Sequence, residues 1–198
     1  ELPQAVESLL QNQSGQNNID IYVYDQTNII REDKFPNAAY NHIFWDNRTS
    51  MFSYLENLLS QSQSDFFLYI NGALKFEKNW DIELVMGHGR RPVIISGNHG
   101  ITFNAGAYKF YPSYEISQTQ TALITNWITN DFIFMTTEMF KSFPKLSDHI
   151  KWMGFEEVYS VFAHTKGFTI QCLATAWVSK LDGSIFDQDY LPFSIKHG

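Results

Sequence analysis

The sequence predicts an α/β fold, and three observations carry that expectation. Phe66-Phe67-Leu68-Tyr69-Ile70 is an unbroken apolar and aromatic run bounded by polar residues, which suits a strand covered on both faces. It stops at Asn71-Gly72, a turn-forming pair. Trp80-Asp81 then opens a helical pattern over residues 82–86. A buried strand that ends in a small polar turn is where open α/β sheets place ligands. An ordinary strand–turn–helix connection has the same pattern.

The other elements follow in order. Residues 5–10 carry apolar side chains at 5, 6, 9 and 10, one face of a helix. Residues 11–18 are polar, rich in Gln and Asn, and read as a loop. Residues 19–24 form a strand that ends at Asp25-Gln26-Thr27-Asn28, and residues 40–45 a shorter one. Met51, Phe52, Leu55, Leu58 and Leu59 then fall at helical spacing. Asp46 or Asn47 would cap that helix. Its start is electropositive and suits a diphosphate, so Arg48 either reaches a nucleotide there or is solvated. Gly87-His88-Gly89-Arg90-Arg91-Pro92 is a break, followed by a strand at 93–96, a turn at 97–100 that holds His99, and a short strand at 101–103. Tyr108, Phe110, Tyr111 and Tyr114 cluster in an irregular segment and either stack on sugar rings or cover a core. Residues 121–128 alternate weakly. From Asp131 the pattern is a strand, then a helix capped by Thr136 or Thr137 and ended by Pro144. Phe155, Val158, Tyr159 and Phe162 share a helical face, which puts Glu156 and Glu157 at the helix start. There they serve a site or only the helix dipole. Gly167 turns into a strand over residues 170–178, and His197 lies in the closing segment.

With 198 residues the chain can bury a sizeable core, and residues 1–198 read as a single domain. A net charge of −7 argues against a general nucleic-acid binder but allows one small nucleotide held by local groups. No apolar run approaches the roughly 20 residues of a membrane span, and no basic, apolar leader opens the chain. The lone Cys172 cannot form an internal disulfide, which fits a reducing, cytoplasmic setting.

Leu68-Tyr69-Ile70, Asn71-Gly72-Ala73, Phe76 and Asn79-Trp80-Asp81 together resemble the central motif of GT-A glycosyltransferases. The resemblance is strongest to polypeptide N-acetylglucosaminyltransferases that modify a hydroxyproline or similar acceptor. That family has Asp-Ser-His where this chain has Asn71-Gly72-Ala73, so the first carboxylate and the His are both replaced. Gly154-Phe155-Glu156-Glu157-Val158, with Gly167 before a strand, resembles the family's Gly-Glu-Glu-Ile helix start.

The resemblance covers residues 19–178 and implies a GT-A-like, Rossmann-like, mostly parallel twisted sheet flanked by helices. It implies transfer of a sugar from a UDP- or GDP-linked donor to a protein or glycan acceptor, with Mn²⁺ or Mg²⁺. Tyr24, Gln26, Arg48, Asn71 and Gly72 would then bind the donor. Asn71 and His197 would ligate the metal, and Glu156 or Glu157 would face the donor sugar or the acceptor as the catalytic group. The altered triplet leaves three alternatives: a weak metal site, a metal-free site leaning on Arg48 or Lys75, or a catalytically silent module that recognises a glycan or a protein.

Overall fold

The computed structural model describes residues 2–25, 40–44, 51–70, 74–96, 99–104, 107–112, 124–125, 128, 132–146, 155–172 and 178–180. In chain order the described elements are α1 (Leu2–Asn12), β1 (Ile21–Asp25), β2 (Tyr40–Phe44), α2 (Met51–Gln61), β3 (Phe66–Ile70), β4 (Leu74–Phe76), α3 (Trp80–His88) and β5 (Val93–Ser96). The hairpin β6 (His99–Asn104) and β7 (Ala107–Pro112) follows, then β8 (Ile124–Thr125), β9 (Phe132–Thr136), α4 (Thr137–Lys141), α5 (Phe155–Thr165), β10 (Thr169–Cys172) and β11 (Val178–Lys180).

A five-stranded sheet of order β3-β9-β5-β10-β8 forms the middle layer. Side chains alternate across its strands with the period of two that a pleated strand imposes. Phe67, Tyr69, Ile133, Met135, Ile94 and Ile170 enter one core with α2, α4 and α5. Phe132, Phe134, Val93 and Ile95 enter the other with α1, β4 and α3, and half-buried Phe66, Leu68 and Ile70 pack against it. The expected α/β architecture of a sheet between helices is therefore present.

The mostly parallel character does not hold for the described pairings. β5 and β10 are parallel, but β3–β9, β5–β9 and β8–β10 are antiparallel. The reason lies in the connections. After β5 come the β6–β7 hairpin, then β8, which joins the sheet antiparallel to β10, and then β9, which starts level with the C-terminal end of β5. Parallel β10 needs a crossover, and α5 precedes it in the chain. β3 also stands at the end of the described strand order, not in its middle. Ile21 of β1 packs against the core that Leu68 and Ile70 also touch.

Local signals account for the helix ends. Thr136 caps α4 by accepting the Met139 N–H at 3.1 Å, one of the two threonines the sequence offers for that role. α3 ends at Gly89, whose φ of 57° closes the helix with an N–H bond to the Val85 carbonyl at 3.0 Å. Two strands escape the sequence patterns. β4 is only three residues long, paired with β11, and β7 lies in the aromatic segment expected to be irregular.

Candidate functional site

The strand registers bring several chain ends to one edge of the sheet. Tyr69 of β3 and Ser96 of β5 both lie opposite Ile133 of β9, one on each side. Cys172 of β10 lies level with Ser96. The C-terminal ends of β3, β5 and β10 and the first residues of β9 therefore share an edge. The buried Ser96 Oγ donates to the Phe132 carbonyl at 3.1 Å and fixes that corner.

Helix α5 begins at this edge. The Phe155 ring meets the Tyr69 ring edge-on with centroids 6.2 Å apart. The helix then runs back along the sheet, with Tyr159 against Phe143 at 4.7 Å. Its first turn thus lies beside the end of β3, one residue before Asn71 in the chain. Glu156 is half-buried and stands one turn before Ser160. Ser160 Oγ accepts the Ile128 N–H at 2.8 Å, on the approach to β9. Glu157 is exposed and borders a shallow groove with Pro144, Val158, Val161 and Phe162. The two acids therefore differ in burial.

Of the other expected site residues, Tyr24 is described by its backbone, level with Ile43 in the β1–β2 pair. Gln26, Arg48, Asn71, Gly72 and His197 lie outside the described residues, as does Ala73. Lys75 lies on the exposed face of β4 and is ion-paired with Glu77 at 3.0 Å. Among the described residues no group of three or more His, Cys, Asp or Glu side chains could hold a metal ion.

Asn79-Trp80-Asp81 proves to be a clasp for α1. The Trp80 indole N–H donates to the Leu9 carbonyl at 3.1 Å, and the Asn79 N–H to the Asn12 carbonyl at 2.7 Å. The Asp81 carboxylate accepts the Ser14 N–H at 2.8 Å, the Ser14 hydroxyl at 2.6 Å and the Asn17 amide at 2.8 Å. Burial alone would raise the pKa of Asp81. These hydrogen bonds outweigh it and hold the carboxyl below its ordinary range. The polar segment expected as a loop over residues 11–18 supplies this bonding, from small polar donors more than sixty residues away in the chain from the acid they satisfy.

A polar cleft of about 600 Å³ lies at the opposite end of β3, lined by Asp65, Arg90, Thr136 and Lys141 among others. The Arg90–Asp65 pair, at 2.7 Å, spans part of it. It is remote in the fold from the start of α5.

No protein-family model matches the sequence, and no curated protein matches it. Solved structures do match. GalNAc-T7, determined with UDP, GalNAc and Mn²⁺, superposes on 92% of this chain with a TM-score of 0.65 at 11% identity. The chain has a GT-A-like fold. It covers 41% of the length of GalNAc-T7. HddC from Yersinia pseudotuberculosis matches the full chain and 85% of its own length, with a TM-score of 0.51 at 12% identity. At these identities the likeness establishes the GT-A-like architecture alone. No described helix is long and apolar enough to cross a membrane.

Proposed function

We propose that residues 1–198 form one glycosyltransferase domain that moves a sugar from a UDP- or GDP-linked donor to a protein or glycan acceptor. The observation that carries this reading is the meeting of the α5 start with the C-terminal end of β3. Within a GT-A-like fold, that meeting would set an acid beside the strand end from which the Asn71-Gly72 turn departs. The frame around the turn, Leu68-Tyr69-Ile70, Phe76 and Asn79-Trp80-Asp81, and the Glu156-Glu157 pair support kinship with the hydroxyproline-modifying family, from which the Asn71-Gly72-Ala73 triplet departs. The lone Cys172 supports a cytoplasmic setting.

Tyr24, Gln26, Arg48 and the Asn71-Gly72 turn are the proposed nucleotide contacts. Arg48 would offset diphosphate charge, and the N–H groups at the start of α5 favour developing negative charge. Asn71 and His197 are the proposed ligands of a Mn²⁺ or Mg²⁺ ion. When bound, the ion would supply Lewis-acid neutralisation of the departing diphosphate. Glu156 is the proposed catalytic group. Its carboxylate would orient the attacking hydroxyl or stabilise positive charge as the glycosidic bond breaks.

The test has two arms. Melting temperature is measured with UDP- and GDP-sugars, with and without Mn²⁺, and a rise with one donor is expected. Transfer is then measured for Glu156→Gln. Turnover should fall about 100-fold or more, with a much smaller change in donor affinity. A chain that binds no nucleotide sugar in any metal condition overturns the reading. It leaves the silent recognition module, which the missing carboxylate at Asn71 favours.

A further inference from the structure

We propose that the polar cleft at the start of β3 binds a small hydroxylated phosphate monoester, at a site separate from the proposed donor site. Three connections that are distant in the chain build it: the residues that enter β3, the turn between α3 and β5, and the junction of β9 with α4. Phe66 lies opposite Thr136 in the β3–β9 pair, and Arg91 and Pro92 directly precede β5. The cleft, about 600 Å³, therefore lies at the end of β3 away from Asn71. A volume of that order suits a small ligand.

Arg90, Arg91 and Lys141 line the cleft, and Asp65 and Glu138 are its acids, so one positive charge is in excess. The chain as a whole carries −7. Arg90 is paired with Asp65 at 2.7 Å. Among the described residues Arg91 and Lys141 have no carboxylate partner. Arg91 Nε and Nη2 donate to the His88 and Gly87 carbonyls at 3.2 and 2.6 Å, which fixes the guanidinium against the end of α3. Its fork carries further N–H donors, and such a fork matches the oxygens of a phosphate.

Two further observations point to a ligand. Arg90 has a φ of 55°, in the left-handed region, directly after Gly89 at 57°. A glycine would hold that backbone with less strain, yet an arginine stands there. Both neighbouring arginines line the cleft, whereas successive residues of an extended strand face opposite ways. Thr137 also lines the cleft and is 4% exposed. Its Oγ1 is buried with no hydrogen-bond partner among the described residues. A hydroxyl in that state needs a partner, and a ligand oxygen would supply one. Glu138 would repel a bare anion, but with Ser62 and Gln63 it can bond ligand hydroxyls. The mixed lining therefore fits a phosphate and hydroxyls on one molecule.

The test is titration calorimetry of the full chain at low salt with glucose 6-phosphate, glycerol 3-phosphate, inorganic phosphate and glucose. At least one of the two esters should bind with a Kd below about 1 mM, inorganic phosphate about 10-fold more weakly, and glucose not at all. Arg91→Gln and Arg90→Gly should each weaken ester binding about 10-fold. In Arg90→Gly the melting temperature should hold, because the lost ion pair is exposed and glycine relieves the turn. Thr137→Val should weaken binding while keeping or raising the melting temperature, because it removes a buried unpaired hydroxyl. Lys78→Gln, just before the far end of α3, should leave binding unchanged. A chain that binds neither ester overturns the proposal. So do arginine variants that lose melting temperature and keep affinity, which would make the cleft purely structural. Equal affinity for inorganic phosphate overturns the ester and leaves a bare ion. Binding that UDP displaces and both arginine variants keep belongs to the donor edge and overturns the separate site.

Discussion

His88 shows what burial does to a single titratable group. It is 0% exposed, and neither ring nitrogen reaches a hydrogen-bond partner among the described residues. Phe66 and Phe134 meet its ring edge-on at 5.3 and 5.7 Å. Burial lowers its pKa below the ordinary 6.5; the nearby Val93 backbone works against that shift and the Arg91 charge adds to it. The folded chain therefore keeps His88 neutral where the unfolded chain takes up a proton. Its contribution is fully present above the unfolded value and is lost as pH falls below it. The urea midpoint should drop between about pH 7.5 and about pH 5.5, and the drop should shrink in His88→Leu. An identical drop in the variant would assign the pH dependence to other groups. Asp81, whose pKa lies below 3.8, loses its contribution only at far lower pH, so the two effects separate.

At the scale of elements, short pieces depend on their caps and partners. α4 has five residues, too few to hold as an isolated helix. It persists because Met139 and Phe140 are buried in the core and because Thr136 caps its first turn. Thr136→Ala should cost about 1 kcal/mol in denaturant unfolding, and Thr136→Ser much less. Equal losses would point to the methyl group and not to the hydroxyl. α5 is anchored differently. Phe155 and Tyr159 are 0% and 1% exposed and fix the first two turns of its inner face.

For the whole molecule, the sheet with a core on each face collects the C-terminal ends of β3, β5 and β10 on one edge. The donor site is proposed there, and the polar cleft around Arg90 lies at the other end. The metal is the open element of this proposal. Asn71 offers a neutral carbonyl oxygen where hard cations prefer carboxylate. Asn71→Asp should tighten Mn²⁺ binding by titration calorimetry and raise turnover if Asn71 is a ligand. Unchanged binding and turnover would remove Asn71 from the metal site and favour a metal-free or silent domain.

The sequence by itself determined the strand Phe66–Ile70, a threonine cap at 136 or 137, the helix with two acids at its start, and the α/β class. Each of these is written in local periodicity or in a capping residue, and local physics decides them. The order and direction of the strands were not local. β9 inserts antiparallel between β3 and β5 because of where the chain re-enters the sheet, and no stretch of five residues encodes that. The difference between Glu156 and Glu157 was decided by the packing of Phe155 against Tyr69, a contact between residues distant in the chain. The role of Asp81 was decided in the same way. Its donors lie in a segment whose polarity reads as loop until folding brings a buried carboxylate against it.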